Sequence, residues 1–197
     1  MASGGRGRLV VVSGPSGVGK TTVLERLLAT CPLPLRRSVS ATTRAPRPGE
    51  TDGVDYHFLS REEFARRRRR GDFLECFDVF HRGEWYGTLL SEVTPSLDAG
   101  KWVVLGIDVQ GALAVMALSP DAVTIFIRPS SLRVLEERLR SRGTESEPAI
   151  RRRLEQAQSE LALADRYQYQ VINDDLDQAV RQMCAILTQV GDFPHAR

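Results

Sequence analysis

Residues 14–22 read Gly-Pro-Ser-Gly-Val-Gly-Lys-Thr-Thr and follow directly after the apolar run at 9–12. This stretch matches the pattern G-x-x-x-x-G-K-[ST], in which a glycine-rich loop between a strand and a helix binds phosphates. Glycines allow the backbone N–H groups to approach an anion closely, and the positive end of the next helix adds to the attraction. The alternative is an ordinary glycine-rich turn between a strand and a helix. The complete pattern in this setting instead predicts a site for a nucleoside triphosphate.

Two side chains of this loop carry chemistry of their own. Lys20 would bring a mobile positive charge to the outer phosphates, and the Thr21 hydroxyl could bind Mg²⁺. The residues expected to contact the triphosphate are Gly14, Pro15, Ser16, Gly17, Val18, Gly19, Lys20, Thr21 and Thr22.

A second cluster, S-V-S-A-T-T-R-A-P-R-P-G-E at 38–50, is followed by G-V-D-Y-H-F at 53–58. Here the chain resembles guanylate kinase, which transfers the γ-phosphoryl group of ATP to GMP. Further stretches that match occur in the family's order, at 85–88, 107–111, 142–145 and 172–174, so the resemblance covers about residues 8–190. It implies a kinase with ATP and GMP as substrates, GDP and ADP as products, and Mg²⁺ bound with ATP.

The resemblance implies that five side chains bind the phosphate of GMP. A monophosphate is a compact dianion, and two guanidinium forks with three hydroxyls suit its geometry and charge. Isolated arginines beside prolines are more often solvated surface groups, but the string that they occupy here favours a site. The five residues are Ser40, Arg44, Arg47, Tyr56 and Tyr86.

Glu75 is expected to recognise the base of GMP, with Thr88 and Asp108 beside it. Guanine presents N1–H and its N2 amino group side by side, and one carboxylate can accept both hydrogen bonds. Adenine has no such pair of donors, so a buried carboxylate would remain unpaired against it. Without the resemblance, a solvated surface glutamate would be the more common situation. The stretch 76–85 is longer than the family pattern, which leaves the geometry around it open.

Arginines also mark the segment expected to cover the phosphates. Arg138 and Arg142 are four residues apart and would share one face of a helix, while Arg153 lies on the next helix. Arginine-rich helices are mostly solvated, yet phosphoryl transfer requires positive charge around the transferred group. The resemblance implies a catalytic set of Lys20, Arg47, Arg142 and Arg153. It also implies ATP contacts from Arg138, Asn173 and Asp174, although Asn-Asp is common in turns too.

Composition limits the other possibilities. The chain has 197 residues, 42% hydrophobic and 26% charged, with a net charge of +2. These values are typical of one compact domain and do not indicate a nucleic-acid-binding protein. Three dispersed cysteines and no stretch of membrane-spanning length predict a cytoplasmic protein with no membrane partner. The five arginines at 66–70 could form a partner surface, but the solvated end of a helix is the simpler interpretation. Both a monomer and a homodimer remain open.

Strands that alternate with helices predict an α/β fold, a P-loop three-layer architecture with a parallel sheet flanked by helices. Buried strands are expected at 9–12, 103–107, 123–127 and 171–172. Helices are expected at 22–29, from a capping box at 60–63 to Gly71, at 109–118, from Ser130 or Ser131 to about 142, from near Thr144, and at 175–189.

The predicted organisation is a single guanylate-kinase-like domain over 1–197. Its core would comprise about 8–34, 91–131 and 158–190, and the inserted segments would lie at the carboxyl ends of strands, where α/β proteins bind ligands. Residues 35–90 would form the nucleotide-monophosphate-binding subdomain, and 132–157 a helical lid.

One residue departs from the family pattern. Gly106 stands where an acidic residue is expected to order the water shell of Mg²⁺, which leaves the metal affinity open. Two other functions were weighed, namely a binding module that has kept the fold but lost the phosphate loop, and a kinase for another phosphorylated small molecule. The complete loop argues against the first, and Glu75 and Thr88 argue against the second.

Overall fold

The computed structural model describes residues 7–78, 83–141, 143 and 146–192. The strands are β1 Leu9–Ser13, β2 Leu35–Arg37, β3 Ala41–Thr42, β4 His57–Phe58, β5 Phe73–Asp78, β6 Trp85–Leu89, β7 Trp102–Gly106, β8 Val123–Arg128 and β9 Tyr169–Ile172. The helices are α1 Lys20–Thr30, α2 Arg61–Arg70, α3 Leu90–Asp98, α4 Val109–Leu118, α5 Leu132–Ser141, α6 Glu147–Leu161 and α7 Leu176–Asp192, with a 3₁₀ turn at Ala164–Arg166.

The strands form two sheets, one with the order β2-β7-β1-β8-β9 and one with the order β4-β3-β6-β5. In the larger sheet β2 pairs with β7 in parallel, as β8 does with β9. All five residues of β1 are buried, which is expected where helices cover both faces of a parallel sheet. The predicted α/β fold with a parallel sheet flanked by helices is confirmed.

The chain divides into two compact units. Unit 1 comprises Met1–Val11 and Pro34–Ala122, and unit 2 comprises Val12–Leu33 and Val123–Arg197. The division into a core, a nucleotide-monophosphate-binding subdomain and a lid stays a prediction.

In unit 1 the smaller sheet packs one face against α2. Phe64 of α2 is only 2% exposed and stacks on Phe73, with ring centroids 4.5 Å apart. Side chains alternate between the two faces of a strand, so Trp85 and Leu89 of β6 join this cluster. Gly87 lies between them, where a Cβ atom would come within 2.8 Å of Cys76 Cβ. The other face of β6 is left for functional side chains.

The ends of α2 are as the sequence predicts. The N–H of Glu63 donates to Ser60 Oγ (3.1 Å), which satisfies one of the free donors of the first turn. Gly71 ends the helix with a φ of 75°, a left-handed conformation that a residue without Cβ adopts at little cost. The expected helix between Ser60 and Gly71 is therefore confirmed.

In unit 2, α5 and α6 pack together through Leu135, Leu139, Ile150 and Ala157. The helix expected to begin near Thr144 begins at Glu147 instead, with Ser146 as its N-cap residue. Thr144 itself lies outside the described residues. Pro148 occupies the first turn, where a missing N–H breaks no helical hydrogen bond.

Removing the side-chain cap of α2 should weaken unit 1. Replacement of Ser60 by Ala leaves the N–H of Glu63 without its acceptor, and we expect the free energy of unfolding in urea to fall by about 1 kcal/mol. Ser60→Asp is the matched control, since its side chain keeps an oxygen that can accept from the N–H of Glu63. A loss in Ser60→Asp as large as that in Ser60→Ala would show that the side-chain acceptor contributes nothing.

Candidate functional site

The glycine-rich loop joins β1 to α1 in unit 2, and close packing determines its shape. Gly14 has a φ of 147°, and a Cβ atom there would lie 2.0 Å from the carbonyl oxygen of Ile127. Gly19 has a φ of 91°, and a Cβ atom there would lie 2.8 Å from the amide nitrogen of Asn173. A residue with a side chain at either position would displace the loop or its neighbours. The loop therefore presents backbone rather than side chains to a ligand.

Lys20 is the first residue of α1, and its ammonium group turns back over the loop. Its Nζ donates to the carbonyl oxygens of Gly14 (2.6 Å) and Pro15 (3.2 Å). The side chains of Thr21 and Thr22 in the same turn are exposed. The N–H groups of a first helical turn have no acceptor within the helix, so this end of α1 offers donors to an anion.

Asn173 and Asp174 follow β9 and hold neighbouring backbone in place. Asn173 is 6% exposed, and its Nδ2 donates to the carbonyl oxygen of Val18 (2.7 Å). Asp174 Oδ1 accepts from the N–H of Ser130 (3.1 Å). The pKa of Asp174 is lowered mainly by a hydrogen bond with the Ser130 side chain and less by this backbone N–H, while burial raises it. Asn173 thus supports the phosphate loop. The expected contact of both residues with ATP stays a prediction.

Two of the three arginines expected in the lid segment, Arg138 and Arg153, lie within the described residues. Arg138 on α5 is half-buried, and its Nη2 donates to the carbonyl oxygen of Asp174 (3.1 Å). Arg153 on α6 is half-buried and makes contacts of its own. Arg142 lies outside the described residues. The structure thus brings Arg138 to the segment that supports the phosphate loop.

Glu160 on α6 is a residue that the sequence analysis did not single out. Gln156 Nε2 donates to its Oε1 (2.6 Å). Burial raises the pKa of Glu160, while Gln156, the charge of Lys20 and the backbone of Ser16 lower it. A carboxylate beside the cation of the loop can orient that cation. No spacing in the sequence marks its position beside the loop, because Lys20 and Ser16 are far away along the chain.

In unit 1, Glu75 and Thr88 face each other across β5 and β6. Glu75 is 6% exposed, and its Oε1 accepts a hydrogen bond from Thr88 Oγ1 (2.7 Å). Its Oε2 is buried and has no hydrogen-bond partner among the described residues. A buried polar atom without a partner is costly, so this oxygen is suited to accept from a ligand.

The surroundings of Glu75 favour its neutral form. Burial raises the pKa of the Glu75 carboxyl to about 7; the Thr88 hydrogen bond lowers it, and the charge of Asp108 raises it further. Asp108 caps α4, because its Oδ1 accepts from the N–H groups of Gln110 (2.8 Å) and Gly111 (3.0 Å). A Cβ atom on Gly111 would come within 3.2 Å of Glu75 Oε2. The predicted trio of Glu75, Thr88 and Asp108 is therefore gathered in one place.

Arg44 is the best-positioned member of the expected phosphate set. Its Nη1 and Nη2 both donate to the carboxylate of Glu50 (2.9 Å each), and its Nε donates to Tyr86 Oη (3.1 Å). Its guanidinium carbon lies 5.3 Å from the centre of the Tyr56 ring, which is itself 5.9 Å from the Tyr86 ring. Glu50 raises the pKa of Arg44, so this group is a permanent cation held in one orientation.

The other members of the expected phosphate set are nearer to solvent. Arg47 is exposed, and its backbone N–H donates to Glu50 Oε2 (2.7 Å). Ser40 is half-buried, and its carbonyl oxygen accepts from the N–H of His57 (2.9 Å). The Glu50 carboxylate therefore holds both arginines: it binds the guanidinium of Arg44 and the backbone N–H of Arg47.

Glu92 at the start of α3 is another residue that the sequence analysis missed. Its Oε2 accepts from the N–H of Val39 (3.3 Å), and its Oε1 lies 3.1 Å from His57 Nε2. The first contact holds the backbone just before Ser40, and the second holds His57, whose N–H donates to the Ser40 carbonyl oxygen. The helix was not predicted because Pro95 lies inside it, and proline is rare inside helices.

Within the described ranges, no group of three or more His, Cys, Asp and Glu side chains could hold a metal ion. The exposed Thr21 hydroxyl is a donor of the kind Mg²⁺ accepts when phosphates supply other ligands. None of the helices in the described part of the chain has both the length and the apolar character needed to cross a bilayer.

Comparison with known proteins gives one consistent result. A family model described as guanylate kinase matches residues 6–190. A guanylate kinase of Rhodopirellula baltica is 57% identical over 183 residues, which cover 92% of this chain and 87% of that protein. A guanylate kinase of Rubrobacter xylanophilus is 49% identical over 185 residues, covering 94% of this chain and 95% of that protein.

A solved structure agrees with these relatives. The crystal structure of guanylate kinase from Anaplasma phagocytophilum matches with a TM-score of 0.78 at 34% identity, over 94% of this chain and 87% of that one. The family model, the relatives and the solved structure each cover nearly the whole chain. The chain therefore belongs to the guanylate kinase family.

Proposed function

We propose that this protein transfers the γ-phosphoryl group of ATP to GMP, giving ADP and GDP. The observation that carries the proposal is the buried Glu75 carboxylate, whose Oε2 lacks a partner among the described residues while Thr88 occupies its Oε1. Such an acceptor suits a ligand with two adjacent donors, and guanine has N1–H and N2–H in that arrangement. Adenine would leave the oxygen unpaired.

The phosphate of GMP would bind to Ser40, Arg44, Arg47, Tyr56 and Tyr86. Arg44 is oriented before the ligand arrives, because Glu50 and Tyr86 hold three of its nitrogens. Ordering a long side chain in advance lowers the entropic cost of binding. The exposed Arg47 would then add a second guanidinium at the open side.

ATP would bind through its phosphates to the loop 14–22. Lys20 would exchange its two loop carbonyls for phosphate oxygens, which are stronger acceptors. We place Lys20, Arg47, Arg142 and Arg153 in the catalytic set, where they stabilise the charge of the transferred group. Arg138, Asn173 and Asp174 complete the ATP side.

Mg²⁺ would be held by ATP phosphates and the Thr21 hydroxyl, which lies exposed in the first turn of α1. When bound, the ion neutralises phosphate charge and orients the γ-phosphoryl group. Gly106, at the end of β7, is exposed and provides no carboxylate to order the ion's water shell. Thr21 is therefore the single protein ligand that we propose.

The proposal extends to the cellular setting and the organisation of the chain. Free thiols at Cys31, Cys76 and Cys184 suit the reducing cytoplasm, where the enzyme would serve purine nucleotide metabolism as a monomer or homodimer. No nucleic-acid or membrane partner is part of the proposal. Residues 35–90 would act as the subdomain that binds the monophosphate, and 132–157 as the lid.

The first prediction on activity concerns Lys20. We expect Lys20→Ala to retain its far-ultraviolet circular dichroism but to lose at least about a hundredfold in kcat with ATP and GMP, because Lys20 meets the phosphates as their charge develops. Lys101→Ala is the matched control, since the chain has only these two lysines and Lys101 is exposed. Near-normal turnover of the Lys20 variant would refute the assigned role.

A panel of nucleoside monophosphates, assayed with ATP and a coupled readout of ADP, tests the base recognition. The wild-type protein should use GMP far better than AMP, CMP or UMP. Glu75→Gln places an amide NH₂ against a guanine donor and should lower kcat/KM for GMP by about 2–4 kcal/mol. Glu62→Gln, at an exposed glutamate, is the control. A wild-type preference for another monophosphate would overturn the proposed substrate.

The same residue predicts a pH dependence. Because the pKa of Glu75 is raised to about 7, the carboxylate needed for guanine is lost as the pH falls through that value, and KM for GMP should rise. Without ligand, Glu75 holds its proton more tightly in the folded protein than in the unfolded chain. The free energy of unfolding should therefore decrease as the pH rises from about 4.5 to 7.

Urea unfolding separates this effect from a general loss of structure. Glu75→Gln cannot ionise, so without ligand it should be more stable than wild type at pH 8 and lose the pH dependence of KM between 6 and 8. A variant that is less stable at pH 8 would contradict the assignment.

Gly106 stands where an acidic residue is expected, so we expect the wild-type protein to hold the water shell of Mg²⁺ weakly. Gly106→Asp should lower the Mg²⁺ concentration needed for half-maximal rate, because a carboxylate can hold metal-bound waters. Gly106→Asn has nearly the same size without the charge and should change it much less. If both variants shift the Mg²⁺ dependence equally, charge at this position is not the cause.

A further inference from the structure

The five arginines at the end of α2 fall into two groups by their partners. Arg66 and Arg67 pair with Glu63, the latter through Nε and Oε1 at 2.6 Å. Arg70 pairs with Asp72, with Nη2 and Oδ2 at 2.6 Å. These three have carboxylates beside them, as expected for the solvated end of a helix.

Arg68 and Arg69 have no ion pair with a carboxylate in the described part of the chain, and neither has Arg61, about two turns before them. Together with Phe64 and Ala65, these three arginines follow the spacing i, i+3, i+4, i+7 and i+8, which places them on one face of α2. The interpretation of the run as the solvated end of a helix therefore applies to Arg66, Arg67 and Arg70, but not to the other two arginines.

This face borders a cavity of about 510 Å³, which we call the α2 pocket. Among the described residues, its lining comprises Arg61, Phe64, Ala65, Arg68, Arg69, Gly83 and Trp85. The volume lies within the usual range for small-ligand sites, and none of these described lining residues is a carboxylate.

The floor of the α2 pocket is aromatic and its walls are cationic. The Arg68 guanidinium carbon lies 4.5 Å from the centre of the Trp85 ring, and that ring lies 6.0 Å from Phe64. Indole and guanidinium planes both stack on flat rings, and arginine forks bind phosphate. The combination fits a ligand with one flat ring and one phosphate.

The α2 pocket is separate from the guanine site. Trp85 and Tyr86 are neighbours on β6, so their side chains point to opposite faces of the smaller sheet. Tyr86 contacts Arg44 of the proposed GMP phosphate set, whereas Trp85 packs on α2. A ligand on Trp85 would therefore not occupy the position of GMP.

We propose that the α2 pocket is a second binding site for a small phosphorylated molecule with a flat ring, of the nucleotide class. Its phosphate lies among Arg61, Arg68 and Arg69, and its ring stacks at Trp85. The three unneutralised guanidiniums supply the affinity for the anion, and the aromatic floor selects a ring over a sugar phosphate alone.

UMP is the probe for this proposal, because it has one flat ring and one phosphate but lacks the donor pair that Glu75 requires. It is titrated into protein that holds GMP and ADP at concentrations just sufficient to fill the proposed substrate positions without turnover, because an excess of either nucleotide would compete for the α2 pocket. Of the two tryptophans of the chain, Trp102 is only 8% exposed, so quenching by UMP reports occupancy at Trp85. Saturable quenching below about 10 mM is expected, and its absence would overturn the proposal.

Two double variants with equal loss of charge provide the control. Arg68→Gln with Arg69→Gln should weaken UMP binding at least about tenfold, whereas Arg66→Gln with Arg70→Gln should weaken it less than about threefold. GMP kinetics should be unchanged in both. Equal weakening in the two proteins would mean that UMP senses only overall charge, and would overturn the site.

Fragments of the probe test the two halves of the pocket. Uridine lacks the phosphate and ribose 5-phosphate lacks the ring, so each should bind at least about tenfold more weakly than UMP. Ribose 5-phosphate binding as tightly as UMP would refute the stacking role of Trp85. None of these measurements depends on phosphoryl transfer, so the α2 pocket can fail while the proposed activity stands, and the reverse.

Discussion

Alternation of side chains along β6 is the constraint on which most of unit 1 depends. The strand has five residues, and it gives Trp85 and Leu89 to the α2 core while Tyr86 and Thr88 face the other way. A shift of one residue in pairing would exchange these sets and bury the Tyr86 hydroxyl in an apolar cluster. The same register places Thr88 opposite Glu75. The packing of α2 on one face therefore determines which hydroxyl meets the carboxylate on the other.

In unit 2 the corresponding constraint acts on the backbone. The carbonyl of Ile127 and the amide of Asn173 leave no room for a side chain at Gly14 or Gly19. Asn173 is fixed in turn, because its own N–H donates to the carbonyl of Arg128 at the end of β8 (2.9 Å). The sheet thus determines the loop, and the loop needs little rearrangement to receive phosphates. Preorganised donors are effective because they need not be reoriented when the ligand arrives.

Much of this arrangement could be predicted from the sequence, since local patterns carry it. The apolar run before the loop, the cap at Ser60 and the glycine at 71 each specify structure within a few residues. The contacts of Glu50, Glu92 and Glu160 could not be predicted. Glu92 reaches Val39 across 53 positions, and no spacing in the sequence encodes such a distance. The helix containing Pro95 was missed for a different reason, because tertiary packing overrode a local preference.

Charge is divided between the two arginines of the proposed phosphate set. The carboxylate of Glu50 neutralises Arg44 while fixing its fork, so the pair gives geometry with little net attraction for an anion. The charge of Arg47 is not offset in this way, since Glu50 meets only its backbone N–H. A dianion that entered this site would therefore be drawn mainly by the exposed Arg47 and aligned mainly by Arg44. The division resembles that in unit 2, where Lys20 supplies the mobile charge and the rigid loop supplies the alignment.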